Sequence, residues 1–314
     1  MRVVMFGYQT WGHRTLQALL KSRHDVDLVV THPASEHAYE SIWADSVEDL
    51  ARSEGIEVYL AKRPDAQLID RVRAVAPDVM VANNWRTKLP RELFGVPRLG
   101  TVNLHDSLLP KFTGFSPVIW SLISGATHTG LTAHLMDDEL DTGAVLVQRA
   151  VEITPSSTGT SLVYDTLDLV PEVLEAALDG LEHQTLEPVP QNLADRTFFH
   201  KRSEQDSLID WQWPAADIER LVRALSDPYP NAYTYFRGER LRVISSRVSR
   251  CIYGGTPGRV FIEEDGGMVV VAGADAHRGQ SHGLVLDVVR TDDGVNHAAL
   301  DFFGRGGGYL TCLP

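Results

Sequence analysis

Strand-like and helix-like segments alternate without a break from residue 2 to residue 84 of this chain. Residues 2–7 (RVVMFG) read as a buried strand, apolar after Arg2. Residues 15–26 set Leu16, Leu19 and Leu20 on one helical face, and residues 26–32 (VDLVVTH) read as a second strand. The same rhythm continues with a helical pattern over 46–55, a strand over 56–61, a helix over 65–77 and a strand over 78–84. Strands separated by helices pair in parallel, and strands this apolar need cover on both faces of the sheet. The pattern therefore predicts an α/β, Rossmann-like domain built on a parallel sheet. Residues 115–126 fit a further helix, and 130–137 and 143–153 fit strands. Over 171–181, Val173, Leu174, Ala177, Leu178 and Leu181 share one helical face.

The rhythm stops near residue 182. Residues 182–207 hold no long periodic run and read as a connector. After a short amphipathic helix over 217–225, glycine punctuates short strands such as 241–248 and 283–290, the pattern of a small β-rich barrel. The expected division is a domain over 1–185, a linker over 186–206 and a C-terminal β-rich domain over 207–314. The glycine-rich stretch 304–309 lacks the strand–loop–helix setting of a phosphate cradle and reads as a loop. The first loop, FGYQTWG, contains only Gly7 and Gly12 and fails the spacing of a dinucleotide site.

The formal net charge of −13 matters for partners, because phosphate contacts dominate nucleic-acid affinity. From Asp206 to the C-terminus there are eleven arginines, no lysine and fourteen acids, so neither half is a basic module. The N-terminus lacks the pattern of a signal peptide, and no apolar stretch is long enough to span a bilayer. Cys251 and Cys312 are the only cysteines, too few for a disulfide framework, so the expected location is cytoplasmic. The twelve histidines form no cluster with metal-ligand spacing, and no metal is expected.

Chemistry concentrates in NLHDSLLPKFTG, residues 103–114. Asn103 and His105 fall where a strand should end, the edge at which open α/β sheets bind ligands. Two residues apart, they point to the same side of extended chain. Asp141, in a loop between two strands, can reach the same edge. An amide can donate to a developing oxyanion, an imidazole can move a proton near neutral pH, and a carboxylate can hold the ring or take the proton. These types suit acyl transfer to an amine. Each also has an ordinary reading, as a turn former or a hydrogen-bonded core residue.

The segment 103–114 followed by Ser116-Pro117, together with GLTAHLM and LDTGAVLVQ downstream, resembles the 10-formyltetrahydrofolate-dependent formyltransferases. That family includes enzymes acting on methionyl-tRNA, on sugar amines and on glycinamide ribonucleotide. The resemblance continues through residues 206–235, similar to the entry to the family's C-terminal, OB-like barrel, and so covers nearly the whole chain. It implies 10-formyltetrahydrofolate as formyl donor and Asn103, His105 and Asp141 as the catalytic trio, with Ser107 and the turn Leu108-Leu109-Pro110 shaping the site. It also implies a folate site between 83–89 and 137–141, with Arg86, Leu89, Asp138 and Glu139 as candidate contacts. Several branches carry arginine where this chain has Thr113, which points to an altered acceptor site.

The resemblance leaves the acceptor to be chosen. In the methionyl-tRNA branch a lysine-rich loop follows the second strand. Here residues 31–51 contain no Lys or Arg but Glu36, Glu40, Asp45, Glu48 and Asp49, which disfavours nucleic acid. His37, Tyr39 and Trp43 offer walls for a small molecule, and acids near Trp85 or Tyr39 could hold an ammonium group. The expected partner is a small-molecule amine or hydroxylamine. Within the family the chain looks most like enzymes that formylate N5-hydroxyornithine for hydroxamate siderophores, with nucleotide-linked amino sugars next and methionyl-tRNA after them. A formyl-folate hydrolase or a folate-binding regulator stands as the alternative class. No membrane partner is expected, and the oligomeric state is open.

Overall fold

A computed structural model describes residues 1–34, 42–273, 281–305 and 307–314. His37 and Tyr39, and the acids Glu36 and Glu40, lie outside the described residues. Two compact units result. One comprises Met1–Pro117, His128–Glu152 and Val163–His200, and the other Val118–Thr127, Ile153–Leu162 and Lys201–Pro314.

The first unit contains β1 (Arg2–Gly7), α1 (Gln9–Lys21), β2 (Asp25–Thr31), α2 (Val47–Ser53), β3 (Glu57–Leu60), α3 (Ala66–Val75), β4 (Val79–Asn83), α4 (Arg91–Phe94) and β5 (Thr101–His105). It continues with β6 (Thr113–Gly114), β7 (His128–Leu135), β8 (Val145–Glu152), α7 (Val170–Glu182) and β9 (Phe198–Phe199). Between these, α5 (Pro117–Ile123) and α6 (Gly159–Asp168) run across the division between the units.

The main sheet has the order β3-β2-β1-β4-β5-β7-β8. Its first five strands are parallel, as expected, but β7 runs antiparallel to β5, and β8 antiparallel to β7. The sheet is therefore mixed. No helix lies between β7 and β8, so that connection is a hairpin and its strands must oppose each other.

Strand alternation sends Val3 and Met5 of β1 to one face, where Leu16 and Leu19 of α1 and Val173 and Ala177 of α7 meet them. Val4 and Phe6 face the opposite side, against Leu68 and Val72 of α3 and Leu93 of α4. Burial on both faces is why β1 is apolar from Val3 onward. Each fully buried leucine contributes about 2 kcal/mol.

One expectation needs correction. The FGYQTWG stretch, read as a loop, is the end of β1 and the first turn of α1, which starts at Gln9. A Cβ on Gly12 would sit 2.6 Å from the carbonyl carbon of Gly7. The glycine pair lets α1 close onto β1, which is a packing role.

The second unit carries β10 (Ala232–Phe236), β11 (Glu239–Tyr253), β12 (Val260–Glu264), β13 (Gly267–Val270), β14 (Ser281–Thr291), β15 (Asn296–Ala298) and β16 (Leu310–Thr311), with α8 (Ala215–Ala224) and α9 (Ala299–Phe303). The strand order is β12-β13-β14-β11-β10-β16, with β15 added to β14. Asp265 and Gly266, both at positive φ, make the tight turn between β12 and β13. Backbone bonds from Val260 N–H to Gly308 O (3.2 Å) and Leu310 N–H to Gly258 O (2.8 Å) join the two ends of this order, closing it as a barrel. Ile218, Leu221 and Val222 are the buried stripe of α8.

Candidate active site

In the order β3-β2-β1-β4-β5 the winding reverses between β1 and β4, and the crevice above such a reversal is where open sheets bind ligands. Asn103 and His105 stand at that edge, on the last three residues of β5. Asn103 pairs across the sheet with His134 of β7, and its Nδ2 lies 3.1 Å from His134 Nε2. His134 Nδ1 lies 2.8 Å from Leu135 O, so Nδ1 carries the hydrogen and Nε2 presents a lone pair to the amide. Burial lowers the His134 pKa against the raising pull of Asp141, which keeps the ring neutral and able to accept. The amide is thereby fixed through one of its two hydrogens.

His105 is buried, and its Nε2–H donates to Phe112 O at 2.9 Å. Its other nitrogen, Nδ1, lies 3.8 Å from Asp141 Oδ2, close enough for electrostatic pairing and too far for a hydrogen bond. Asp141 is also buried and has a left-handed backbone, φ 58°, which aspartate tolerates better than most residues. Two contacts hold it, and a third fixes its loop at Gly143. Gly114 N–H donates to Oδ2 at 2.8 Å, and Gln191 Nε2 donates to the carbonyls of Asp141 (2.9 Å) and Gly143 (2.8 Å).

The turn after β5 is pinned from the strands beside it. Thr132 Oγ1 of β7 donates to Ser107 O at 2.5 Å, and Gln148 Nε2 of β8 donates to Leu109 O at 3.0 Å. Ser107 Oγ donates to Lys111 O at 2.7 Å, and the Leu109–Pro110 peptide is cis. Farther on, β6 pairs in parallel with β9, so part of the stretch read as a connector is a wall of the site. The close fit explains Gly114, with φ 96°, where a Cβ would meet Phe199 O at 2.4 Å. Just before β9, Arg196 reaches three groups. Its Nη2 donates to Leu140 O (2.7 Å), its Nε donates to Thr113 Oγ1 (3.2 Å), and its Nη1 stands 3.9 Å from the Glu139 carboxylate.

The expected folate contacts lie on two segments that the structure brings together. Arg91 of α4 pairs with Asp138 at 2.6 Å, tying the segment beyond β4 to the loop carrying Asp141. Arg86 Nη2 donates to Gln9 Oε1 at 2.7 Å, and its guanidinium lies over the Tyr8 ring. Leu89 is a core residue, packed with Phe6 and Leu93. Glu139 is exposed and faces Arg196. Between Arg86 and Leu89, Thr87 Oγ1 is buried without a hydrogen-bond partner, and so is Trp85 Nε1. Buried polar groups left unpaired ordinarily find water or a ligand. Trp85 itself stacks on His32 at 3.9 Å between centroids.

Sequence reasoning missed His134, Thr132, Gln148, Gln191 and Arg196. His134, Thr132 and Gln148 matter only through strand register. Gln191 and Arg196 lie in a stretch without periodicity, so no pattern marks them. Among the described residues, His24, Asp179 and Glu182 lie together as possible metal ligands, a grouping hidden by their separation in sequence. Arg23 already donates to both of those carboxylates, and the cluster sits at the opposite end of the strands from β5's last residues. No helix among the described residues is long and apolar enough to cross a membrane.

Residues 1–178 match the family model for formyl transferase, and residues 201–304 match the model for the formyl transferase C-terminal domain. A methionyl-tRNA formyltransferase of Lachnospira eligens is 35% identical over 251 residues, 79% of each chain. HypX from Aquifex aeolicus, solved in complex with tetrahydrofolic acid, superposes with a TM-score of 0.61 at 19% identity over 97% of this chain. The chain spans only 47% of the length of HypX. An N-formyltransferase from Helicobacter canadensis, solved with folinic acid and dTDP-3-aminofucose, gives a TM-score of 0.66 at 18% identity and covers 90% of this chain and 98% of its own. At these identities the two structures speak for the fold alone.

Proposed function

The chain belongs to the formyltransferase family, whose donor is 10-formyltetrahydrofolate, and from this we propose that it formylates the amino or hydroxylamino nitrogen of a small metabolite. N5-hydroxyornithine, a precursor of hydroxamate siderophores, is the acceptor we assign first. The donor supplies an electrophilic formyl carbon bound to its N10. Arg86, Leu89, Asp138 and Glu139, on the two facing segments, would hold it, with the unpaired Thr87 hydroxyl and Trp85 indole available beside them.

The acceptor nitrogen attacks the formyl carbon, and negative charge builds on the formyl oxygen. The second amide hydrogen of Asn103 would donate to that oxygen, its amide held by the bond to His134. His105 has committed its Nε2–H to Phe112, so its contribution comes from Nδ1, the nitrogen facing Asp141. Asp141 steadies positive charge on the ring and receives the proton lost by the acceptor. The bond to N10 then breaks, its electron pair and a proton passing to N10, which leaves tetrahydrofolate and the N-formyl product. We place the enzyme in the cytoplasm, in keeping with two free cysteines.

The observation that carries this reading is the meeting of Asn103, His105 and Asp141 at one strand end. The test is tetrahydrofolate release with and without N5-hydroxyornithine. Acceleration by that amine supports the reading, and equal rates with every amine tried would make the protein a hydrolase. Faster turnover of a nucleotide-linked amino sugar would move the assignment to that class. Methionyl-tRNA is the other acceptor to weigh, because the Lachnospira relative carries that name. The charge of −13 opposes it, and strongly salt-sensitive formylation of charged initiator tRNA would reverse our choice.

A further inference from the structure

We infer that Asp106 is the specificity-determining residue of this site, a carboxylate that receives an ammonium group of a cationic acceptor beside an aromatic wall. The inference rests on the small-amine reading above and deepens it.

Asp106 directly follows His105 at the end of β5, so it lies at the catalytic edge. The Trp11 indole N–H, from the first turn of α1, donates to one of its oxygens. Among the described residues the other oxygen has no hydrogen-bond partner, and no lysine, arginine or histidine stands within ion-pair distance of the carboxylate. Loss of water around it pushes its pKa up to about 6, opposed by His105 and then by the Trp11 bond. A carboxylate stripped of most of its water and left with a single neutral donor is costly, and an incoming cation relieves that cost. The residue as a whole is only partly buried.

What surrounds this acid suits a cation. Trp11 meets Trp43 edge to face at 5.7 Å between centroids, and Trp43 meets Tyr164 at 5.2 Å. The three rings come from three separate places in the first unit: α1, the stretch before α2, and α6. Tyr164 is 48% exposed, so the wall opens to solvent. Aromatic faces attract ammonium groups, most strongly where water is thinned out. The same carboxylate repels phosphates and so sets anionic acceptors at a disadvantage. An acid–aromatic pairing was expected near Trp85 or Tyr39; Trp85 stacks on His32, Tyr39 lies outside the described residues, and Asp106 with Trp11 offers such a pairing within them.

The test compares N5-hydroxy-L-ornithine with 5-(hydroxyamino)pentanoate, which lacks the α-ammonium group. In the wild type, kcat/KM for the first should exceed that for the second at least tenfold. Asp106→Asn should erase the difference and leave the donor KM within a few-fold, while Trp11→Phe, which keeps the carboxylate, should retain most of it. In parallel, the indole N–H resonance of Trp11 in ¹⁵N-tryptophan-labelled protein, assigned by its loss in Trp11→Phe, should move with the first compound and not with the second. In Asp106→Asn it should move with neither. If neither compound is formylated, the acceptor reading fails and the indole response still decides this inference. Selectivity retained in Asp106→Asn, or an indole response equal for both compounds, overturns it.

Discussion

His134 makes no contact with the reaction in this account, yet it holds the amide on which the oxyanion depends. His134→Ala should lower kcat by about 10–100-fold, the range expected when a fixed donor is loosened, with the donor KM changed little. His134→Gln, which can still accept a bond from the amide, should recover part of the loss. Steady-state kinetics on both variants checks this, and a loss confined to KM would argue against positioning. Asp106 gives a second residue-scale prediction, on stability. Its folded pKa of about 6 lies above the unfolded 3.8, so the unfolded chain loses its proton first as pH rises. The resulting destabilisation is absent below pH 3.8, grows up to pH 6 and is complete above it. Asp106→Asn removes it, so at pH 7.5 the variant should melt above the wild type by an amount worth on the order of 1–3 kcal/mol, and the gap should close toward pH 4. Melting curves at the two pH values suffice. Asn103 and His105 stood out as candidates because they sit inside a distinctive motif, and Asp141 because it lies in a second such segment downstream. The structure sets His105 and Asp141 side by side, while the catalytic roles of all three are proposed. His134 did not stand out, because nothing local distinguishes a strand histidine that pairs across a sheet from one that fills a core.

At the scale of elements, the segment carrying Arg196 and β9 is where sequence reading fell short. Lacking periodicity, residues 182–207 read as a connector, whereas Phe198–Phe199 pair with Thr113–Gly114 and Gln191 and Arg196 hold the loop of Asp141. Pairing of two residues leaves no hydrophobic pattern long enough to detect. Arg196→Ala should free the 137–141 loop from the 112–114 turn. We expect kcat/KM to fall about tenfold or more, while thermal stability changes by less than about 1 kcal/mol because the lost contacts are largely at the surface. An equal fall in stability would mean that Arg196 serves the fold alone. The start of α1 was missed for a different reason. The short FGYQTWG run holds glycines that look like loop residues, and the closeness of Gly7 to Gly12 appears only in three dimensions.

For the molecule as a whole, alternation predicted the parallel part of the sheet, and glycine punctuation predicted the β-rich C-terminal unit. The antiparallel β7 and β8 escaped because single strands carry no mark of direction. We retain as a proposal the division into 1–185, a linker over 186–206 and 207–314. The acidity of the whole chain and the unpaired carboxylate of Asp106 both favour a cationic small molecule over a polyanion. In the mechanism we propose, everything functional passes through one imidazole at the end of β5, so His105→Asn is the most direct trial. With donor and N5-hydroxyornithine supplied, this variant should lose formyl transfer by about a thousandfold or more while tetrahydrofolate affinity, read by calorimetry, stays within a few-fold. Transfer retained at near wild-type rate would contradict the account.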